Sequence, residues 1–233
     1  MNLPIQAISF DVGGTLIEPW PSVGRVYAEV AARHGERGLD PDKVTRRFAA
    51  AWQRAGVRFD YSRTAWARLV AETFAGLSAV AGDPEFFADL YAHFARPDPW
   101  RVFDDVVPAL SALRRRGFRL AVVSNWDDRL RPLLRALDLE RHFEVIAVSC
   151  EVGAHKPDPR IFAWAAQALG VPPAATLHVG DSWDADVCGA RRAGLRAVGL
   201  ARTGRAAPMA TGWIASLAEL PAHAQLKRTS SYA

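Results

Sequence analysis

The spacing of hydrophobic positions divides this chain into two kinds of segment. Ile5 to Phe10 is a short apolar run that stops at Asp11 and the pair Gly13-Gly14, the pattern of a buried strand meeting a turn. From about Val106 onward, segments of helical period alternate with compact apolar runs: VVPALSALRRRG, FRLAVVSN, DDRLRPLLRALDL, FEVIAVS, DPRIFAWAAQALG, TLHVGD, DADVCGARRAG and LRAVGLA. Parallel strands need crossovers, and crossover helices bury the faces of the sheet they span. The alternation therefore predicts a doubly wound α/β core with a parallel sheet.

The stretch from about Pro19 to Pro99 breaks this rhythm, with several helical patterns and no convincing strand. Asp40-Pro41 and Asp83-Pro84 each predict a helix start, a capping carboxylate followed by proline at the first helical position. Gly35, Gly56 and Gly82 mark ends. In SRTAWARLVAETFAGL, Trp66, Leu69, Val70, Phe74 and Leu77 recur at helical intervals and form one apolar face, read as the core of the insertion rather than a ligand platform. The segment RPDPW, residues 96 to 100, leads the chain back. The expected organisation is an α/β core from residues 1–17 and 100–233, with a helical insertion over 18–99. The tail KRTSSYA is expected to fray.

Composition narrows the class. With 233 residues, 50% hydrophobic and 23% charged, the chain can bury a sizeable core without staples. No apolar run approaches the roughly 18 residues of a membrane span, and the N-terminus lacks a signal-peptide pattern, so no membrane partner and a cytoplasmic location are expected. Cys150 and Cys188 stand in unrelated contexts without CxxC spacing, which predicts two reduced, buried thiols and no zinc site. The net charge of +4 rests on 26 Arg against 3 Lys and raises the question of nucleic acid. Placement answers it: Arg114 to Arg116 precede Gly117, and Arg191 and Arg192 precede Ala193-Gly194, where cations meet the negative ends of helices. No nucleic-acid partner is expected.

In an open α/β sheet, ligands bind beyond the carboxyl ends of the strands. Four polar clusters follow predicted strands: DVGGTL from Asp11, SNW from Ser124, GAHKPDP from Gly153 and GDSWDAD from Gly180. Together they offer what phosphoryl transfer requires: carboxylates for a nucleophile and a cation, hydroxyl and amide donors, and a lysine. Taken singly, each has a bland reading. An Asp before two glycines is usually a turn residue, Asp184 suits the first turn of a helix, and His155 suits a loop. Trp126 fits either a cleft wall or buried packing.

In order, these four motifs resemble those of the haloacid dehalogenase superfamily of hydrolases over nearly the whole chain, and the helical insertion sits where that family carries its cap domain. The resemblance implies a Rossmann-like core and assigns roles. Asp11 would be the nucleophile that becomes an aspartyl phosphate, and Lys156 the cation holding it against the phosphate. Thr15 would steady the loop, while Ser124 and the Asn125 amide would meet phosphoryl oxygens. Mg²⁺ would be held by Asp11, the Gly13 carbonyl, Asp181 and Asp186, and the substrate would be a small phosphate ester or acyl phosphate. Clustered hard oxygen donors without His or Cys suit Mg²⁺ on general grounds as well.

One position departs from the family. Its phosphatases carry a second aspartate two residues after the nucleophile as general acid and base, where this chain has Gly13. Such acid catalysis is worth about 10² to 10⁴ in rate, so alkyl phosphates are expected to be poor substrates. His155, beside Lys156, is the alternative proton donor, set against its plainer reading as a loop histidine. Three other functions compete: a 2-haloacid dehalogenase using the same nucleophile, a phosphonate hydrolase using Lys43 from the insertion, and a catalytically weak binding protein.

Overall fold

Ala7 to Phe10 are completely or almost completely buried and form the strand from which the sheet is built in both directions. The structure, a computed structural model, describes residues 3–56, 59–202 and 212–223. The KRTSSYA tail lies outside them. Along the chain the elements are β1 (Ala7–Phe10), β2 (Ile17–Pro19), α1 (Val23–Arg33), α2 (Pro41–Ala55), α3 (Arg63–Phe74), α4 (Pro84–His93), β3 (Trp100–Val102), α5 (Val106–Arg115), β4 (Arg119–Ser124), α6 (Leu130–Ala136), β5 (Val145–Val148), α7 (Ser149–Val152), α8 (Pro159–Ala168), β6 (Thr176–Gly180), α9 (Gly189–Arg192), β7 (Arg196–Leu200) and β8 (Trp213–Ile214). They fall into two compact units, residues 1–17 with 102–233, and residues 18–101.

In the first unit the strand order is β5-β4-β1-β6-β7-β8, and every neighbouring pair is parallel. The chain starts in the middle, builds β4 and β5 on one side, then crosses back to place β6 and the later strands on the other. That reversal brings the carboxyl ends of β1, β4 and β6 together at a topological switch point. The central strands read as continuous apolar runs because both faces are covered. Strand β8 was not foreshadowed, since two residues are too few to carry a period. The segment DADVCGARRAG, expected as one helix, is instead a π-helical turn over Trp183–Cys188 followed by α9.

Helix ends follow the sequence signals. Asp158 caps α8 by accepting the Arg160 N–H at 2.9 Å, with Pro159 in the first turn. Arg114 and Arg115 lie in the last turn of α5 and Gly117 follows in the left-handed conformation. Cysteine burial needs correction: Cys150 is exposed and Cys188 half-buried. At the start of α7 the inward position belongs to Ser149, and in the π-helical turn it belongs to Val187, which leaves each cysteine turned outward. Among the described residues no helix is long and apolar enough to cross a membrane.

The second unit is helical. Ser22, Asp40, Ser62 and Asp83 cap α1 to α4 with their side chains. Tyr27, Val30, Val44, Val70, Phe74, Phe86 and Leu90 form its core. Trp66 stacks on Trp52 at 5.8 Å between ring centroids and meets Phe59 edge-on at 4.8 Å, which is core packing as expected. Trp100 and Arg101 belong to this unit. The Trp100 indole N–H donates to the Phe94 carbonyl at 3.1 Å, and Arg101 pairs with Glu18 while lying 3.6 Å over the Trp20 ring.

Candidate active site

Asp11 continues the register of β1, its N–H donating to the Val179 carbonyl at 2.9 Å. The loop beyond it is a tight turn. Leu16 and Ile17 donate to the Val12 carbonyl at 2.8 and 3.1 Å, and Gly14 donates to the Ile17 carbonyl at 2.8 Å. Gly14 has φ of 78°, a left-handed conformation that suits glycine. The Gly13 carbonyl takes no part in these closing bonds. Thr15 is fully buried; its carbonyl accepts from Arg202 at 2.5 Å, and its hydroxyl is enclosed without a protein partner. Thr15 therefore lies inside the loop, and its hydroxyl does not reach an exposed surface.

The other strand ends converge on Asp11. Lys156 Nζ lies 2.6 Å from Asp11 Oδ1 and 2.6 Å from Asp186 Oδ1, bridging two buried carboxylates. Ser124, at the end of β4, donates from Oγ to Asp11 Oδ1 at 3.1 Å. Asn125 uses its side chain to hold the Lys156 backbone. Its Nδ2 donates to the Lys156 carbonyl at 2.9 Å and its Oδ1 accepts the Lys156 N–H at 2.7 Å. The GAHKPDP loop is thus pinned to the end of β4 at the residue that carries the cation.

Asp186 is the most heavily held carboxylate. Besides Lys156, its Oδ1 lies 3.2 Å from His178 Nε2, and its Oδ2 accepts the Ser182 N–H at 2.9 Å. Such an approach requires Gly180, because a Cβ there would stand 2.2 Å from the Asp186 carboxyl carbon. The π-helical turn presents Asp186 back toward β6, a distortion that recurs at functional sites. Asp181 is half-buried at the end of β6, and Asp11, Asp181 and Asp186 each offer a carboxylate oxygen within 4.8 Å of the others. Three carboxylates against one ammonium leave negative charge in a buried place. A hard divalent cation fits a donor set of this kind, all oxygen and without His or Cys.

The protonation pattern follows from burial and charge. Burial pushes the Asp11 carboxyl up, with Lys156 opposing and Asp186 reinforcing the shift. Burial also penalises charge on Lys156, but Asp11 and Asp186 outweigh it and hold the ammonium above its ordinary range. At Asp186 burial is overcome by Lys156 and His178, which hold that carboxyl below the usual range. Burial lowers His178, against the pull of Asp186. The lysine is thus a fixed cation, Asp186 a fixed anion, and the imidazole neutral at neutral pH.

Two participants escaped the sequence reading. Ser9 and His178 are register partners on β1 and β6, and Ser9 Oγ lies 2.9 Å from His178 Nδ1. The available signal was a polar residue, Ser9 or His178, flanked by apolar neighbours inside each strand. Trp126 is now placed. Its N–H donates to Ser149 Oγ at 3.0 Å, the Ser149 hydroxyl donates back to the Trp126 carbonyl at 3.0 Å, and its ring lies beside Gly13. Asp184 and Lys43 are exposed, and His155 is half-buried in its loop.

Fold and site together define a doubly wound α/β protein with a lysine-bridged carboxylate centre at its switch point. A family model of the haloacid dehalogenase-like hydrolases matches residues 5–194, and the chain belongs to that family. It is 36% identical over 208 residues to the haloacid dehalogenase-like hydrolase domain-containing protein 3 of Mus musculus, covering 83% of this chain and 81% of that protein. It is 30% identical over 218 residues to the glyceraldehyde 3-phosphate phosphatase of Methanopyrus kandleri, covering 85% and 84%. Among solved structures it resembles the HAD phosphatase of Thermococcus onnurineus, with a TM-score of 0.67, 28% identity and coverage of 94% and 97%.

Proposed function

We propose that this hydrolase is a Mg²⁺-dependent phosphatase acting on small phosphate esters or acyl phosphates through an aspartyl phosphate on Asp11. The observation that carries the reading is the Lys156 bridge, 2.6 Å to each of Asp11 and Asp186, beside three carboxylates within 4.8 Å. The phosphatase relative from Methanopyrus kandleri supports the same substrate class. Asp11, the Gly13 carbonyl and Asp181 would hold Mg²⁺, with Asp186 directly or through water. The ion would supply charge neutralisation and orientation for phosphoryl oxygens.

The chain's own groups account for the remaining work. An Asp11 oxygen attacks phosphorus while the bond to the leaving oxygen breaks, its electron pair departing with that oxygen. Lys156 keeps Asp11 in place and offsets charge on the phosphoryl group, and Ser124 holds the same Asp11 oxygen. Water then attacks phosphorus, the bond from Asp11 to phosphorus breaks, and the water's proton passes to solvent. With no acid at position 13, the first step favours leaving groups that depart unprotonated, such as carboxylates and phenolates. The helical unit of residues 18–101 serves as the family's cap and carries substrate selection.

The test is a panel of acyl, aryl and alkyl phosphates, phosphonates and 2-haloacids, with and without Mg²⁺. Hydrolysis of acyl and aryl phosphates that needs both Mg²⁺ and Asp11 is the expected result. Halide release without metal would replace this reading with the dehalogenase.

A further inference from the structure

We infer that Trp213, on the edge strand β8, is a positioning residue of the carboxylate centre, acting through the π-helical turn that carries Asp186. This rests on the reading of Asp11, Asp181 and Asp186 as a Mg²⁺ site and extends it to a strand that carries no ligand.

Register places the ring. Gly180, Gly199 and Trp213 are successive partners across β6, β7 and β8, and partners in a pleated sheet project to the same face. Both glycines leave slots there that other side chains fill. A Cβ on Gly180 would stand 2.2 Å from the Asp186 carboxyl carbon, and a Cβ on Gly199 would stand 2.4 Å from Cδ2 of the Trp213 indole. Neighbouring strands lie about 4.8 Å apart, so the indole and the carboxylate occupy adjoining slots. The indole packs on the buried cluster that contains Val187, the residue after Asp186.

A second contact joins the indole to the turn itself. Trp183, the first residue of the turn, faces Trp213 with ring planes 20° apart and centroids 6.4 Å apart, and Arg191 of α9 sets its guanidinium carbon 5.6 Å from the Trp183 ring centre. Trp183 follows Ser182, whose N–H donates to Asp186 Oδ2 at 2.9 Å and whose Oγ accepts the Ala185 N–H at 3.2 Å. Fixing Trp183 therefore fixes the donor that aims Asp186. The Trp213 ring thus does two things: it holds the turn at its start, and it keeps water out of the slot beside a carboxylate that is 1% exposed. Exclusion of water strengthens the attraction between that carboxylate and a divalent cation.

Calorimetric titration of the metal-free protein with Mg²⁺, at a temperature well below its melt, reads the effect without turnover. Trp213→Ala should weaken binding about 10- to 100-fold, the range found when partners that orient metal ligands are removed. Trp213→Phe, which keeps a ring to stack on Trp183, should recover most of the loss. Gly199→Ala drives a Cβ into the indole and should weaken binding too, but not when combined with Trp213→Ala, because the Cβ then enters empty ground. If Trp213→Ala does not fold, Trp213→Leu, which cannot stack, takes its place. Urea unfolding of each metal-free variant runs beside the titration. Wild-type affinity in Trp213→Ala, with or without a loss of stability in urea, overturns the inference, as do losses at positions 199 and 213 that simply add. In both cases the wild type still binds Mg²⁺ and the reading of the centre stands, whereas a wild type that binds no Mg²⁺ removes that reading and the inference with it.

Discussion

His178 Nε2 lies 3.2 Å from Asp186 Oδ1, and neither side chain is more than 2% exposed. Since Asp186 is held ionised, its oxygen accepts and Nε2 must carry the proton; a neutral ring then leaves Nδ1 as acceptor, and the Ser9 hydroxyl donates to it across 2.9 Å. The pair orients Asp186, which in turn shares Lys156 with Asp11.

His178→Ala should therefore lower Mg²⁺ affinity or activity about 10- to 100-fold, the usual effect of removing a partner that orients a metal site. His178→Gln, which keeps a donor near the same place, should recover part of the loss, and Ser9→Ala should cost less. Mg²⁺ titration calorimetry on the three variants checks this order.

Lys156→Met leaves Asp11 and Asp186 buried and facing each other without their shared cation. Loss of one partner from a buried ion pair costs about 3–5 kcal/mol, so the metal-free variant should melt well below the wild type. Mg²⁺ should restore more stability to the variant than it adds to the wild type, because the variant's site is more negative. Thermal melts with and without Mg²⁺ decide it. Equal shifts in both proteins would mean that the cation does not bind at these carboxylates.

Asp105 ties the loop after β7 and the turn after β8 to the base of the Asp11 loop. It accepts from Arg202 Nη1 at 2.8 Å, from the Ser216 hydroxyl at 2.6 Å and from the Leu217 N–H at 2.8 Å, while Arg202 also donates to the Thr15 carbonyl. Burial alone would raise this carboxyl, but the Ser216 and Arg202 hydrogen bonds overcome it and hold the pKa below the ordinary value. A depressed carboxyl contributes stability that is complete above its unfolded pKa of about 3.9 and is lost as pH falls through the lower folded value. Asp105→Asn should cost about 1–3 kcal/mol at neutral pH, a difference from the wild type that shrinks below about pH 4. Urea unfolding across that range is the check.

Much of the first unit was legible because parallel strands buried on both faces leave uninterrupted apolar runs, and four of the runs ended in a polar cluster. Asp11, Ser124, Lys156 and Asp186 could be placed together on that basis, since strand ends at a switch point converge whatever fills the loops. What stayed hidden were relations that depend on register and rotamer. Ser9 faces His178 only because β1 and β6 pair in one register. Asn125 turns to the Lys156 backbone, Thr15 points inward, and Cys150 turns outward beside Ser149, and none of these directions has a period in the sequence. The chain crossing also falls after Arg101 rather than after Pro99, set by contacts of Trp100 and Arg101 that no proline pattern announces.

Gly13 is absent from the residues with positive φ, so its backbone accepts a side chain, and the tightest neighbour is the Trp126 ring at 3.3 Å. Gly13→Asp is therefore expected to fold with a small shift of the indole. It should raise turnover of alkyl phosphates by roughly ten- to a thousandfold if the new carboxylate reaches the leaving oxygen. His155→Ala is the control in steady-state assays: a selective loss on alkyl phosphates would make His155 the proton donor and remove the explanation built on Gly13.

Covalent transfer to Asp11 is the centre of the account, and it can be measured directly. The protein with Mg²⁺ is mixed with an acyl phosphate, quenched in acid within the first turnover, digested, and the peptide containing Asp11 examined by mass spectrometry; a parallel reaction runs in water carrying the heavy oxygen isotope. The account predicts one phosphoryl group on Asp11, none in Asp11→Asn, and heavy oxygen in the released phosphate but not in the Asp11 carboxylate. An unmodified Asp11 peptide together with phosphate release by Asp11→Asn, or heavy oxygen in the aspartate itself, would contradict it.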